Sequence, residues 1–409
     1  VSESLIPSHL HARYRAWREV PVRAGHRTVA VATRPGVFAD GALDDSAALL
    51  ARHVTCRDTD TVVHLGCGNA FAAAAAPRAG QVLLADRHVA NVAAARRTLA
   101  ANGLAVPVHH AHGIAAARPD APDAGTLRLA DSSVDAVTIR IPHEKGALLP
   151  LLVDAHRVLR VGGRCWVAGG TNEGIKPAVA LVEALFGGVA TAGQGGGHRL
   201  VVATRRDRPL PDEPALRSPF LDHDHHHVVP VVLRGHAFTV HTRPGVFSWE
   251  HLDEATALLA EHMTVPRGAR VLDLGCGAGV LGVVASRLAD RTATFVDADA
   301  EALRAARRTV AAAGLTDARV FASDIAEAVL EETFDTVVAN PPFHMGKATA
   351  LAVPTQFMLD AWDVLAPGGT VQLVANRTLP YEAILAERFG SYTTVHDGPR
   401  FKVLAATKR

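Results

Sequence analysis

The stretch VLDLGCGAGVLG, Val271–Gly282, decides the fold of this chain. It predicts a buried strand, a sharp turn and the start of a helix. Gly275, Gly277 and Gly279 allow the turn, because glycine adopts backbone conformations that other residues avoid and lets a ligand come close to the backbone. Many nucleotide-binding folds share such a turn, so the signal alone is weak. The spacing Gly-x-Gly-x-Gly differs from the Gly-x-Gly-x-x-Gly of dinucleotide sites, which makes a pyrophosphate ligand less favoured.

Strand and helix patterns alternate after this turn. The segments TATFVDAD, FDTVVA and TVQLVA predict strands, and AEALRAARRTVAAAG predicts a helix that ends at Gly314. This alternation is typical of an α/β fold with a doubly wound, mostly parallel sheet. Ligands of such sheets bind beyond the carboxyl ends of the strands, where the strand order reverses.

Three aspartates lie at the predicted strand ends. Asp273 precedes the glycine turn, Asp297 ends the next strand, and Asp324 follows the third. A carboxylate at the place of Asp297 can accept hydrogen bonds from ribose hydroxyls. Asp324 is placed to reach an adenine amine.

The sequence contains an internal duplication. Four segments recur in the same order about 210 residues apart, and the pairs are TRPGVF (33–38, 242–247), LGCG (65–68, 274–277), ARRTLAANGL with ARRTVAAAGL (95–104, 306–315) and VLRVGG with VLAPGG (158–163, 364–369). A period of this length indicates two whole domains. We expect a first domain over 1–205, a linker over 206–228 and a second domain over 229–409. The linker is rich in proline and charge and is predicted to be exposed, and its Asp/His cluster is expected to be solvated rather than to bind a metal, since nothing would fix its geometry.

The composition favours a globular protein. Of 409 residues, 48% are apolar and 20% are charged. No apolar run has membrane-spanning length, the first residues lack the layout of a signal peptide, and the four cysteines are scattered, so we expect a cytoplasmic protein without metal. The first 209 residues carry a net charge of +7 and the remainder −6. The positive charge of the first half suggests that it binds an anion such as nucleic acid. The alternative is an ordinary arginine-rich surface.

The stretch VVANPPFHMG, 337–346, places an amide and an aromatic ring on a rigid turn. Pro341 and Pro342 exclude a helix or a central strand. The turn therefore holds out Asn340 and Phe343 at the end of a strand. A strand-terminating turn with a buried phenylalanine is the alternative for such a stretch taken alone.

The second copy resembles the class I S-adenosyl-L-methionine (AdoMet)-dependent methyltransferases. The resemblance is closest to the ribosomal RNA small-subunit methyltransferase C family, tandem proteins with a degenerate first domain. It depends on TRPGVF, DLGCGAG, NPPFH, VANRTLPY (374–381) and GPRFKV (398–403) together. It implies two Rossmann-like domains, each with a mostly parallel seven-stranded sheet, and methylation of a guanine 2-amino group in 16S rRNA.

The resemblance also implies a set of site residues. Asp297 would hold the ribose of AdoMet and Asp324 its adenine. The other cofactor-binding residues would be Asp273, Gly275, Cys276, Gly277, Gly279 and Asn340. The catalytic residues would be Asn340, Pro341, Pro342 and Phe343.

The NPPF tetrad suits one kind of nucleophile. The lone pair of a guanine amine is delocalised into the ring. Two acceptors around its hydrogens, the Asn340 side-chain oxygen and the Pro341 carbonyl, would favour a pyramidal nitrogen. The prolines keep these acceptors rigid, and Phe343 can stack on the flipped base. Adenine amines and glutamine amides are also planar nitrogens, so an adenine, glutamine or large-subunit rRNA methyltransferase stays open, as does a non-catalytic ribosome-assembly factor.

The first copy has lost these groups. His64 stands for Asp273, Ala70 for Gly279, Arg140 for Asn340 and His143 for Phe343, while Asp86 still matches Asp297. An arginine offers donors and no acceptor, so we predict no methyl transfer in this domain.

We expect the first domain to bind 16S rRNA or to stabilise the second. Arg13, Arg15 and Arg18 alternate with Tyr14 and Trp17, a pattern that suits phosphates and bases. The alternative is a helix that packs Trp17 inward. In the second domain, Arg400 and Lys402 are expected on one face of a strand near the RNA, with edge-strand charge as the alternative. The protein is expected to be a monomer.

Overall fold

The computed structural model describes residues 14–24, 27–38, 44–68, 80–117, 125–142, 146–342 and 352–409. These divide into two compact units, an N-terminal unit of residues 17–225 and a C-terminal unit of residues 226–409 together with residues 14–16. The division differs from the predicted boundaries in two places. Residues 14–16 belong with the second copy, and most of the predicted linker belongs with the first. In the described ranges, no helix has the length and apolar character to cross a membrane.

The N-terminal unit alternates strands and helices. Its elements are β1 (Arg18–Ala24), β2 (Arg27–Thr33), α1 (Asp45–His53), β3 (Thr61–Leu65), β4 (Gln81–Asp86), α2 (Val89–Ala101), β5 (Val108–Ala116), β6 (Gly125–Leu129), β7 (Val134–Arg140), α3 (Leu148–Val158), β8 (Leu159–Gly170), α4 (Ile175–Phe186), β9 (Ala190–Gly195) and β10 (His198–Thr204).

The C-terminal unit repeats this plan. Its elements are β11 (His227–Leu233), β12 (His236–Thr242), α5 (Glu254–His262), β13 (Val271–Leu274), α6 (Val280–Ala289), β14 (Thr294–Asp297), α7 (Ala300–Ala312), β15 (Arg319–Ala322), β16 (Phe334–Ala339), α8 (Ala352–Val364), β17 (Leu365–Asn376), α9 (Tyr381–Phe389), β18 (Thr393–Asp397) and β19 (Phe401–Thr407).

Each unit has one large, mostly parallel sheet, as predicted. The strand order of the C-terminal sheet is β15-β14-β13-β16-β17-β19-β18, and only β19 runs antiparallel to its neighbours. The chain goes outward from β13 to β15 and then returns to β16 on the other side of β13. The order therefore reverses between β13 and β16, and the carboxyl ends of these two strands form a crevice.

The N-terminal sheet has the order β6-β5-β4-β3-β7-β8-β10-β9. In the described part of the chain it has eight strands, one more than the predicted seven, because β6 adds to β5 in parallel at the edge. In the C-terminal unit the place of β6 in the chain order, between β15 and β16, is taken by a short helical turn, Glu327–Val329.

Local sequence explains these elements. All four residues of β13 are buried, as expected for a parallel strand covered on both faces. The helix α7 begins where the Asp299 side chain accepts from the backbone N–H groups of Glu301 and Ala302. The helix ends at Ala312 and the chain turns away at Gly314. The φ of 72° at this glycine allows the N–H of Leu315 to donate to the carbonyl of Val310 at 3.1 Å.

The end of the predicted linker is partly buried. His223 is buried, and its Nε2 lies 2.8 Å from Asp154 Oδ2 on α3. The same Asp154 oxygen accepts from the backbone N–H of Ile114. This part of the segment therefore packs into the N-terminal unit rather than forming a solvated connection.

Candidate active site

Four predicted site residues lie at the carboxyl ends of adjacent strands. Asp273 is the third of the four residues of β13. Asp297 ends β14, Asp324 follows β15, and Asn340 follows β16. The register of β13 against β14 and β16 brings these ends to one edge of the sheet. The sheet order therefore brings together residues that are far apart in the sequence.

The glycine turn is fastened to the end of β14. The N–H of Gly277 donates to Asp297 Oδ2 at 2.8 Å, and the N–H of Asp299 donates to Asp297 Oδ1 at 2.9 Å. Gly277 has a φ of 52°, and no atom lies within 4 Å of the place where a Cβ would stand. Beside it, a Cβ on Gly275 would come within 2.9 Å of the Phe357 ring. The turn therefore needs glycine at Gly275 for close packing and leaves open space beside Gly277.

Asp273 lies beneath this turn and is fully buried. Its Oδ2 accepts from the N–H of Gly282 at 2.7 Å, whereas Oδ1 has no hydrogen-bond partner among the described residues. Burial raises the pKa of Asp273 to about 7; the Gly282 N–H lowers this pKa, and the charge of Asp297 raises it further. A buried carboxylate oxygen without a donor is costly, which makes Asp273 a place for a cationic or donor group.

Cys276 is buried in the same turn. Burial, followed by the charges of Asp297 and Asp273, raises the pKa of its thiol well above the usual value. The thiol therefore stays protonated at neutral pH and lines the turn without acting as a nucleophile.

Asn340 is held by one end of its amide. Its Nδ2 donates to Thr256 Oγ1 at 2.9 Å and to Asp253 Oδ2 at 3.2 Å. Its Oδ1 is buried and has no hydrogen-bond partner among the described residues. Leaving such an oxygen unsatisfied costs about 1–3 kcal/mol, so it marks a place where the donor of a ligand belongs. Neither Asp253 nor Thr256 was expected from the sequence, because they precede Asn340 by more than eighty positions.

The prolines of the tetrad follow β16 outside any regular element, as predicted. Pro341 is buried and Pro342 is exposed. Phe343 lies outside the described residues.

Tyr14 is a third residue that the sequence did not assign to this site. It is buried, and its hydroxyl donates to Asp324 Oδ1 at 3.2 Å. Next to it, Arg15 forms an ion pair of 2.5 Å with Asp360, whose side chain is 1% exposed. The two residues fasten the N-terminal segment to the C-terminal unit. Tyr14 is therefore engaged within the fold rather than available to a base, whereas an RNA contact at Arg15, whose side chain is 24% exposed, stays a prediction.

The other predicted RNA-binding residues have different surroundings. Arg13 lies outside the described residues, and Arg18 is exposed on β1. Trp17 is partly buried, with the guanidinium groups of Arg34 and Arg97 at 4.6 and 4.7 Å from its ring centre. This packing corresponds to the alternative in which Trp17 faces inward.

Near the C-terminus, only one of the two basic residues is accessible. Arg400 is exposed and pairs with Glu254 at 2.5 Å. Lys402 is 7% exposed, donates to the carbonyl of Leu379 at 3.1 Å and pairs with Glu382. The prediction of an RNA contact at Lys402 is wrong, because α9, which carries Glu382, packs against β19 and covers the lysine. The edge-strand alternative fails because β19 lies between β17 and β18.

Phe247, the last residue of the second TRPGVF segment, is 66% exposed. It therefore does not fill the core. Its counterpart Phe38 in the N-terminal unit lies under the guanidinium of Arg140, 4.3 Å from the ring centre.

The first copy keeps the frame of the site and replaces its chemistry. The N–H of Gly68 donates to Asp86 Oδ2 at 3.0 Å, as Gly277 does to Asp297. At the place of Asp273, burial lowers the pKa of His64 to about 3, so that residue is neutral. Arg140, in place of Asn340, donates to Glu173 at 2.6 Å and to Asp44 at 3.2 Å. Ala70 and His143 lie outside the described residues.

Comparison with known proteins agrees with this geometry. The family model described as "Methyltransferase small domain" matches residues 28–124 and 237–405. Ribosomal RNA small subunit methyltransferase C of Escherichia coli is 41% identical over 169 residues, which are 41% of this chain and 49% of that protein. The aligned part thus spans about half the length of this relative. A T. thermophilus 16S rRNA N2 methyltransferase, solved in complex with AdoMet and guanosine, is 28% identical with a TM-score of 0.79, over 98% of this chain and 100% of that one.

Proposed function

The chain belongs to the methyltransferase small domain family, and we propose that it transfers a methyl group from AdoMet to the exocyclic 2-amino group of a guanine in 16S rRNA. Its C-terminal unit carries the site. The T. thermophilus protein that is similar over nearly the whole chain has the same activity in its description and binds guanosine. The substrate would be 16S rRNA in the cytoplasm, either free or within the small ribosomal subunit.

The residues at the strand ends fit AdoMet. The free space beside Gly277 admits a ligand against the backbone, and the unsatisfied Oδ1 of Asp273 suits the cationic methionine head. Asp297, whose two oxygens accept from backbone N–H groups, ends β14 beside the glycine turn, where a carboxylate suits the ribose hydroxyls. Asp324, steadied by Tyr14, would receive the adenine amine. Cys276 and Gly279 complete the turn around the methionine part.

When bound, AdoMet supplies an electrophilic methyl carbon on a sulfonium. The protein's part is to present the amine to that carbon. Asn340 Oδ1 and the Pro341 carbonyl accept one hydrogen each from the guanine amine, which directs the nitrogen lone pair away from the ring. Because the prolines restrict the backbone, these acceptors need little rearrangement in the transition state. The methylated nitrogen then loses a proton to water, so no strong general base is needed. Phe343 would stack on the base with about 1–3 kcal/mol.

The observation that carries this proposal is the state of the Asn340 amide. Its nitrogen is satisfied by the protein and its oxygen is buried without a partner among the described residues, which is the arrangement needed to receive an N–H. Replacing Asn340 with Ala removes this acceptor. We expect kcat to fall by about 10²–10³-fold, the usual effect of deleting one preorganised hydrogen-bonding group.

The substrate is tested by mapping. Mass spectrometry of rRNA from cells with and without the protein should reveal one guanine in 16S rRNA that loses a methyl group. A missing mark on 23S rRNA, on an adenine or on a glutamine would replace this proposal with one of the alternative substrates. No missing mark, together with full ribosome assembly by the Asn340→Ala variant, would favour a binding role.

For the N-terminal unit we propose RNA binding without methyl transfer. Arg140, which stands at the position of Asn340, forms ion pairs with Asp44 and Glu173. Its side chain has no acceptor for the hydrogens of an amine. The net charge of +7 over the first 209 residues and the exposed Arg18 suit phosphate contacts.

A further inference from the structure

We propose that Thr256, together with Asp253, is a positioning residue that fixes the amide of Asn340 with its oxygen toward the substrate amine. This inference rests on the proposed function of the C-terminal unit. It concerns two side chains at the start of α5 that lie more than eighty positions before the NPPF tetrad.

The orientation of the amide follows from the chemistry of its neighbours. The side chain of Asp253 accepts hydrogen bonds and donates none when ionised, so the NH2 end of Asn340 must face it. With the amide reversed, two oxygens would stand 3.2 Å apart. The Thr256 hydroxyl lies 3.0 Å from Asp253 Oδ2 and donates to it, which leaves an oxygen lone pair for Asn340 Nδ2 at 2.9 Å. Asp253, Thr256 and Asn340 therefore form a chain with one consistent direction of donation.

Helix capping explains Asp253 but not Thr256. Asp253 caps α5 by accepting from the backbone N–H of Thr256 at 2.7 Å. In the first copy Asp44 caps α1 in the same way, accepting from the backbone N–H of Ala47 at 3.2 Å. Asp44 and Ala47 stand 209 positions before Asp253 and Thr256. A cap of this kind needs no hydroxyl at the third helical position, because Ala47 fulfils it with its backbone alone.

The hydroxyl occurs where the asparagine occurs. The copy with Asn340 has Thr256, and the copy with Arg140 has Ala47. Arg140 reaches Asp44 with its own N–H groups and would gain nothing from a hydroxyl acceptor. The pairing of threonine with asparagine thus follows the chemistry of the site rather than the stability of the helix.

Removal of the hydroxyl should loosen the amide without emptying the site. With the shorter of its two hydrogen bonds gone, the amide nitrogen is held only by Asp253 at 3.2 Å, so the side chain is less firmly fixed and Oδ1 spends less time directed at the substrate amine. Such an enzyme would bind its ligands and turn over slowly. The expected signature is a loss in kcat with little change in the AdoMet dissociation constant, because the residues assigned to AdoMet are untouched apart from Asn340.

The test compares Thr256→Val with Thr256→Ser. Valine keeps the shape and the backbone cap and removes the hydroxyl, whereas serine keeps the hydroxyl. The assay measures transfer from AdoMet to unmethylated 16S rRNA, with AdoMet binding measured by calorimetry. We expect kcat of the valine variant to fall about 10- to 100-fold and that of the serine variant to stay within about threefold of the native enzyme.

A second readout does not depend on turnover. In ¹⁵N-labelled protein, the side-chain NH2 signals of Asn340, assigned by their loss in Asn340→Ala, should be protected from exchange with water in the native protein and in the serine variant. They should exchange faster in the valine variant. A purely structural role of Thr256 would lower the thermal midpoint instead and leave these signals unchanged.

The chain also offers a matched control for the cap. Serine caps helices well but is too short to reach Asn340. Asp253→Ser should therefore lower kcat, and Asp44→Ser, the same change at the corresponding cap of the first copy, should leave kcat unchanged.

The outcomes separate the two proposals. If Thr256→Val keeps kcat within about threefold while Asn340→Ala has lost it, the positioning role is wrong and the proposed function stands. Equal losses in the valine and serine variants, or a loss that only follows the folded fraction, would also overturn the positioning role. If Asn340→Ala itself retains full activity, the proposed use of the tetrad is wrong.

Discussion

Replacing Asp273 with Asn should remove a pH-dependent loss of stability from the C-terminal unit. Burial raises the pKa of Asp273 to about 7 in the folded state, while an unfolded chain has a carboxyl pKa of ~3.9. Between these values the folded state keeps a proton that the unfolded state has released. The unfolded state then binds fewer protons, so the free energy of unfolding falls as pH rises.

The size of the effect follows from the two pKa values. The slope is about 1.4 kcal/mol per pH unit, and a window of about three units gives a loss on the order of 4 kcal/mol between pH ~4 and ~7. Asparagine can still accept from the N–H of Gly282, and it does not ionise. The stability difference between Asp273→Asn and the native protein should therefore widen across this window and be constant on either side of it.

The assay is urea unfolding at half-unit steps from pH 4 to pH 8, read by hydrogen exchange in peptides from β13 and β16 so that the C-terminal unit is followed separately. Asp335→Asn is a control whose effect should not change with pH in this range. Hydrogen bonds from the Arg270 side chain lower the pKa of Asp335, so its contribution is lost only below pH ~4 and should be constant from pH ~4 to ~8. Parallel stability curves for Asp273→Asn and the native protein over the whole range would refute the reasoning about burial.

Three further predictions concern the contacts around the site. Tyr14→Phe removes the hydroxyl that donates to Asp324, the proposed adenine-binding carboxylate. The dissociation constant of AdoMet, measured by calorimetry, should rise about two- to tenfold, which corresponds to the loss of one hydrogen bond. Unchanged binding would show that the hydroxyl does not orient this carboxylate. Arg400→Ser should reduce the dependence of rRNA affinity on salt by about one unit of slope, whereas Lys402→Met should leave this slope unchanged, because only the arginine is exposed; equal effects would contradict the burial of the lysine. Arg140→Asn should not restore methyl transfer to a protein whose C-terminal site is inactive, as measured with labelled AdoMet on rRNA, and detectable transfer would mean that the first copy had lost only one group.

The sequence predicts the frame of the site because that frame depends on local patterns. The glycine turn and the apolar runs define β13 and its neighbours, and strand ends in a doubly wound sheet meet at one edge. The sequence therefore places four residues at one edge of the sheet: Asp273, Asp297, Asp324 and Asn340. The roles of a glycine in a tight turn and of an aspartate at a strand end depend little on residues that are distant in the sequence.

The sequence does not predict the contacts that close over long separations. Tyr14 and Asp324 are 310 positions apart, and nothing in the local pattern around Tyr14 differs from a surface helix with arginines. The alternation along β19 suits a solvent-facing Lys402, but that face is covered by α9, and this packing is not visible in the local pattern. The threonine at 256 could have been noticed, because alignment of the two copies places Ala47 opposite Thr256 in an otherwise similar helix start.

Comparison of the two copies separates what the fold requires from what the chemistry requires. The contact between the glycine N–H and the strand-end carboxylate is present in both, as Gly68 with Asp86 and Gly277 with Asp297, so it fastens the turn whether or not a methyl group is transferred. This bond therefore does not by itself indicate a cofactor role for Asp297. Asn340 differs, because its counterpart Arg140 is held between two carboxylates while its own Oδ1 lacks a partner among the described residues. A buried acceptor left unsatisfied within the described part of the chain costs stability, and a donor on the substrate would offset this cost.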